Sequence, residues 1–209
     1  MKKIMTMFAA LLLLGFTAVF AESNKADTVV DIEAQGQQGG TITAYLAANT
    51  ADPAPQGACY DHDMSSSQFT CLAAVSAQTG LDKTLSEAGP YTLFAPTDEA
   101  FKTLASSMTS DDFTALLNNK TELTKILSYH VLPEQRTLSD LFAGVTDNAV
   151  TAATVEKSNL TLNFAGADEN MTNTTISFAN SDAKVLDGQM LVDNGVIIPI
   201  DHVLMPSAM

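Results

Sequence analysis

The chain has 209 residues, 46% hydrophobic and 16% charged, with 24 acidic side chains against 10 basic ones. That is the composition of a globular protein long enough to build a sizeable core, and not of a disordered chain. A formal charge of −14 with a single arginine, Arg136, excludes a nucleic-acid partner, whose phosphates need clustered Lys and Arg, and disfavours docking on anionic lipid.

Lys2 and Lys3 precede an apolar run from about Met7 to Phe20, and Val19-Phe20-Ala21 offers the small residues that signal peptidase accepts. Residues 1–21 therefore read as a secretory signal peptide, since the run falls short of the ~20 residues of a spanning helix. Cleavage would leave 188 residues at a charge of −16, with no later stretch able to span a bilayer. Export predicts a secreted or periplasmic location, where Cys59 and Cys71, the only two cysteines, are expected to pair. Such a bond would close a loop of about 13 residues and contribute roughly 3 kcal/mol. Two buried free thiols are the alternative.

Residues 22–40 are polar and glycine-rich at their end, which predicts a mobile lead-in, with Thr28 to Ile32 as a possible short strand. Thr41 to Asn49 is a helical candidate, broken by Asp52-Pro-Ala-Pro, which opens a loop over about 52–66. From Ser67, the spacing of Phe69, Leu72, Ala73 and Ser76 predicts a helix that stops at Gly80. Gly89-Pro90 marks a turn, and Tyr91 to Ala95 a buried strand.

Thr97 can cap a helix with Asp98 and Glu99 in its first turn and Phe101, Leu104 and Ala105 inward; Ser110-Asp111-Asp112 starts another. A third carries Leu123, Ile126, Leu127 and His130 on one face and stops by Pro133, and Thr137 to Phe142 forms a short fourth. After Gly144 the period becomes two, with strands expected at Thr151–Val155, Leu160–Phe164, Thr174–Phe178, Ala183–Leu186 and Gly195–Leu204. Helices first and strands later predict one α+β domain, mostly antiparallel, with a helical layer.

Three ordered segments carry a resemblance. Gly89-Pro-Tyr-Thr-Leu-Phe-Ala-Pro-Thr-Asp-Glu-Ala-Phe101, Ile126-Leu-Ser-Tyr-His-Val-Leu132 and Asn194-Gly-Val-Ile-Ile-Pro-Ile-Asp-His-Val-Leu-Met-Pro206 resemble the opening, central and closing motifs of the fasciclin domain family. The resemblance covers about residues 41–206 and implies a wedge-shaped β-sandwich with helices packed beside it. It also implies cell adhesion, or protein and matrix interaction, without catalysis. Tyr129 and His130 become interaction candidates, as do Gln189 and Met190, where adhesive animal members often have an Asp-Ile pair, and Asn194 and Gly195.

Two departures stand out. Ile198-Pro199 replaces a usual His-Val pair, so an edge or bulge is expected at Pro199. The Cys-bearing loop looks like an insertion of about 15 residues relative to compact members.

The polar constellations also have plain structural readings. His130, on an apolar helix face, is expected to be a buried imidazole bonded to backbone or to a neighbouring polar group. Asp61-His62-Asp63 fails as a calcium loop, because Ser66 and Leu72 stand where Gly and Glu are needed, so no metal is expected. Asp201-His202 resembles half a catalytic relay, yet neighbours on a strand point to opposite faces. No nucleophile elbow, zinc pair or phosphate loop is present, which makes a hydrolase a distant alternative. Asn119, Asn159, Asn170 and Asn173 head glycosylation sequons.

The expected partner of this monomer is a cell-surface or matrix protein or a polysaccharide, with no cofactor. The alternative is a carrier of an apolar small molecule such as a carotenoid, walled by Met108, Met171, Met190 and Met205.

Overall fold

The structure, a computed structural model, describes residues 35–50, 69–165, 175–179, 181, 183–186 and 188–206. Strand β1 (Gln35–Gln38) is followed by helices α1 (Ile42–Ala48), α2 (Thr70–Thr79) and α3 (Leu81–Ser86), and then by β2 (Tyr91–Pro96). Next come α4 (Asp98–Ser106), α5 (Ser110–Asn118), α6 (Lys120–Tyr129), β3 (Val131–Leu132) and α7 (Leu138–Ala143). Strands β4 (Ala149–Ala153), β5 (Asn159–Ala165), β6 (Thr175–Phe178), β7 (Met190–Val192) and β8 (Gly195–Ile200) complete the described chain.

The α+β class holds, and the caps explain the helix starts. Thr97, Thr109 and Thr137 each accept a hydrogen bond from the amide three residues on, and Asp140 returns the bond to close a capping box on α7. Asn119 caps α6 in the same way. α2 ends at Gly80, as its sequence predicts, but Gly80 also begins α3, a helix the spacing did not reveal.

One sheet runs β1-β7-β8-β2-β3 and a second β4-β5-β6. Pairing is mostly antiparallel, as expected, with two exceptions in the larger sheet, where β2 pairs with β8 and β1 with β7 in parallel. Ala183 to Leu186 is not a strand; Lys184 and Val185 make only isolated bridges, to Ser177 and Ile200. β1 sits within the stretch read as a mobile lead-in, while Thr28–Ile32 lies outside the described residues.

The larger sheet is the middle of three layers. Leu93 and Ala95 of β2 and Ile197 of β8 pack with Leu72, Phe101, Phe113 and Leu127 of the helices. Phe94, Val196, Ile198 and Ile200 pack on the other side with Val150, Leu162, Phe164 and Phe178 of the smaller sheet. Phe94 and Phe178 meet edge to face at 5.3 Å, joining the two sheets. A strand covered on both faces reads as a continuous apolar run, which is the sequence of β8.

No bulge interrupts β8 at Pro199 and the strand is an interior one, but β7 ends opposite Ile197, so Pro199 lies where the β7 side of the strand is locally an edge. The β2/β8 register continues unbroken from Tyr91 opposite Gly195 to Pro96 opposite Ile200. The Pro199 carbonyl accepts from the Leu186 amide, away from β2, so the missing N–H also faces that side, beyond the end of β7. Proline therefore removes no bond to β2.

Candidate functional site

The three motif segments converge on one hydrogen-bonded frame. Phe94 N–H in the first donates to the His130 carbonyl in the second, and Tyr91 N–H donates to the Asn194 carbonyl in the third. Leu204 N–H in the third donates to His130 Nε2 at 2.9 Å.

Backbone approach is closest at Gly195, where a Cβ would overlap the Tyr91 carbonyl, and at Gly89, where it would overlap the Asn194 carbonyl. Both obstacles are main chain and cannot swing aside. Gly195→Ala is therefore expected to lower stability by about 2–3 kcal/mol, read as a lower denaturant midpoint at unchanged slope.

His130 follows α6 as its C-cap and is fully buried. Its Nδ1 lies 2.7 Å from the Ile126 carbonyl and its Nε2 accepts from Leu204, so the ring is the neutral Nδ1–H tautomer. Burial lowers its pKa from 6.5 to about 4. An imidazole with both nitrogens engaged is a tether between α6 and the closing segment.

Asn194 links two further elements, α1 and the end of α3. Its Oδ1 accepts from the Ile42 amide at 2.9 Å, and its Nδ2 donates to the carbonyls of Leu85 at 2.7 Å and Glu87 at 2.8 Å. Gln189 Oε1 accepts from the Leu138 amide that opens α7, at 2.8 Å. Tyr129 is 4% exposed, and its hydroxyl donates to the Asn159 carbonyl. Met190 is half-buried on β7, opposite Ile197. Of the six interaction candidates, five are thus buried and the sixth half-buried.

Spacing along the chain did not show two other buried groups. Asp98, read as a helix-start charge, is 3% exposed, and its carboxylate accepts from the Thr70 and Cys71 amides, capping α2 from a distance. Thr92 Oγ1 donates to the Glu134 carbonyl and accepts from the Arg136 amide. Only the acidic residue after a Pro-Thr cap hinted at the first. Nothing local hinted at the second.

The Asp201-His202 expectation is also corrected. β8 ends at Ile200, so the two residues form a bend in which His202 Nδ1 and Asp201 Oδ1 approach to 2.9 Å. Cys71 is buried in the first turn of α2, whereas Cys59, the Asp61-His62-Asp63 cluster and Met171 lie outside the described residues. Among the described residues, no group of three or more His, Cys, Asp or Glu is placed to hold a metal, and no helix is long and apolar enough to cross a membrane. Asn119 is occupied as a helix cap, and Asn159 is exposed at the start of β5.

On the surface beside the closing segment, Met108, Ala115, Leu116 and Met205 line a groove of about 320 Å³. It joins the α4–α5 connection, α5 and the end of the third motif. Two of the four methionines expected to wall a ligand site thus meet, while Met190 packs elsewhere against the core.

The fasciclin domain model matches residues 67–206. The chain belongs to the fasciclin domain family. A cyanobacterial relative, protein sll1483 of Synechocystis, is 29% identical over 93% of this chain and 96% of its own length. Immunogenic protein MPB70 of Mycobacterium bovis is 33% identical over 78% of this chain and 79% of its own. Among solved structures, the FAS1 domain pair of the insect cell adhesion molecule Fasciclin I is similar with a TM-score of 0.49 and 23% identity, over 63% of this chain and 43% of that one. The fasciclin motifs of this chain are the segments that form the frame.

Proposed function

We propose that this fasciclin-domain protein is an exported, non-catalytic binding module that mediates adhesion or interaction with a cell-surface or matrix protein or polysaccharide. One observation supports the reading most strongly. The polar groups of the three family motifs are bonded to backbone inside the fold, as His130, Asn194 and Asp98 illustrate, so the motifs build a rigid support and leave recognition to the surface over it. His130 is also unsuited to proton transfer, being enclosed, fully bonded and neutral down to a pH of about 4. Tyr129, His130, Gln189, Asn194 and Gly195 then act as positioning residues for that surface.

The test is a pull-down from cell-surface extract with the immobilised mature protein, paired with an attachment assay on a deletion strain. Recovery of a saturable partner together with reduced attachment is expected. No partner and unchanged attachment would refute the reading.

A second reading, a carrier of an apolar small molecule, is favoured by the groove where Met108 and Met205 meet, because flexible thioether side chains adapt to varied apolar shapes. At about 320 Å³ it lies at the lower end of the ~300–1,000 Å³ range of ligand pockets.

A further inference from the structure

We propose that the groove between α5 and α6 selects an amphiphile with a cationic head: an apolar chain ending in an ammonium group. This rests on the carrier reading and adds the chemical class of its ligand. The floor of the groove is apolar, with Met108, Leu116 and Met205 half-buried against the helical core. Its rim carries the carboxylates of Asp112 and Glu122 and the amide of Asn119.

Asp112 Oδ2 accepts from the Thr109 hydroxyl at 2.7 Å, and Glu122 Oε2 accepts from Asn119 Nδ2 at 2.9 Å. These neutral donors fix the carboxylates in place and leave their charges intact. Lys120 and Lys125 lie exposed on α6, yet among the described residues no cation comes within 4.0 Å of either carboxylate. Among the described residues, the rim therefore presents two negative charges without an ion-pair partner, each in the first turn of its helix, over an apolar floor, on a chain whose formal charge is −14. An apolar tail would be buried on the floor while its ammonium met the rim, whereas a sulfate or carboxylate head would be repelled.

The experiment titrates the full mature chain with decyltrimethylammonium, decyl maltoside and decyl sulfate, each below its micellar concentration. Calorimetry gives Kd, and the methionine ε-methyl NMR signals report position. Decyltrimethylammonium is expected to bind about fivefold more tightly than the maltoside, since two surface charges contribute roughly 1 kcal/mol between them at moderate salt. The preference is expected to shrink as salt rises. Met108 and Met205 signals should move while that of Met190 stays still.

The double variant Asp112→Asn with Glu122→Gln, which leaves the groove floor untouched, is expected to lose the preference and keep tail binding. Equal affinity for all three heads at Met108 and Met205 would overturn the cationic class and leave the carrier reading standing. No movement at these methyls with any of the three would overturn both. Movement produced by protein concentration alone would assign the groove to a second copy of the chain, and that too would overturn the proposal.

Discussion

Replacing Asn194 by alanine is expected to lower stability by about 3–4 kcal/mol, because the buried Ile42 amide and Leu85 carbonyl lose their partner, at roughly 1–3 kcal/mol each. The Glu87 carbonyl, in an exposed residue, can turn to water and adds little. In a domain of this size such a loss lowers Tm by about 10 °C and removes a large share of a typical 5–15 kcal/mol. Chemical denaturation checks the first figure and calorimetry the second. Asn194→Asp distinguishes a bonding role from a packing one. The new carboxylate still accepts from Ile42, but its second oxygen faces two carbonyls, so at neutral pH this variant should be at least as unstable as Asn194→Ala.

The second large effect is a pH slope set by His130. Its pKa stands near 6.5 in the unfolded chain and about 4 in the fold, lowered mainly by burial and partly restored by the bond to Ile126. Between those values the unfolded chain binds a proton that the folded protein refuses, so stability falls as pH drops from about 6.5 to about 4 and levels off below. The loss amounts to about 3 kcal/mol across the window, at 1.36 kcal/mol per pKa unit. Above about 6.5 the group contributes no slope.

Asp140 acts in a different window. Hydrogen bonds from the Thr137 hydroxyl and amide hold its carboxyl below the ordinary 3.8, so its contribution is present above that value and is lost as pH falls further. Urea melts from pH 7.5 to 4 should show the His130 slope, and His130→Gln should flatten it while lowering stability throughout. A wild-type curve flat between pH 6.5 and 4 would show that the imidazole is not held neutral.

The parts of the fold that could be read from sequence are those fixed by neighbours along the chain. α4 announces itself through its Thr97 cap and apolar stripe, α6 through a 3.6-residue apolar stripe alone, and β4, β5 and β6 through strict alternation. α3 was hidden because one glycine both ends α2 and begins it, leaving no break. β3 and β7, of 2 and 3 residues, are shorter than any periodic signal. β1 is held by backbone pairing to β7 and needs no apolar pattern of its own. Parallel pairing of β2 with β8 joins segments about a hundred residues apart, and strand sequence does not encode the direction of so distant a partner.

The same division governs the candidate site. His130 could be placed from its helical spacing, which predicts its burial, and of the two kinds of partner expected the structure shows backbone. The roles of Asn194 and Asp98 could not, since each reaches across more than 25 residues of sequence to an amide of another helix. Family resemblance identified the segment containing Asn194 without giving the reason for it. The reason is geometric: one side chain with two donors and one acceptor closes the gap between α1, the end of α3 and β8.

The central claim is that the family motifs form a single structural frame, with recognition on the surface above it. Native-state amide hydrogen exchange tests this most directly. The amides of Ile42, Tyr91, Phe94 and Leu204, which bond to Asn194 or His130 across the motifs, are predicted to exchange together, through global unfolding at the full free energy of the domain. Exchange of Ile42 or Leu204 through a local opening several kcal/mol below that value would contradict the account, since it would show that the tethers release independently of the fold.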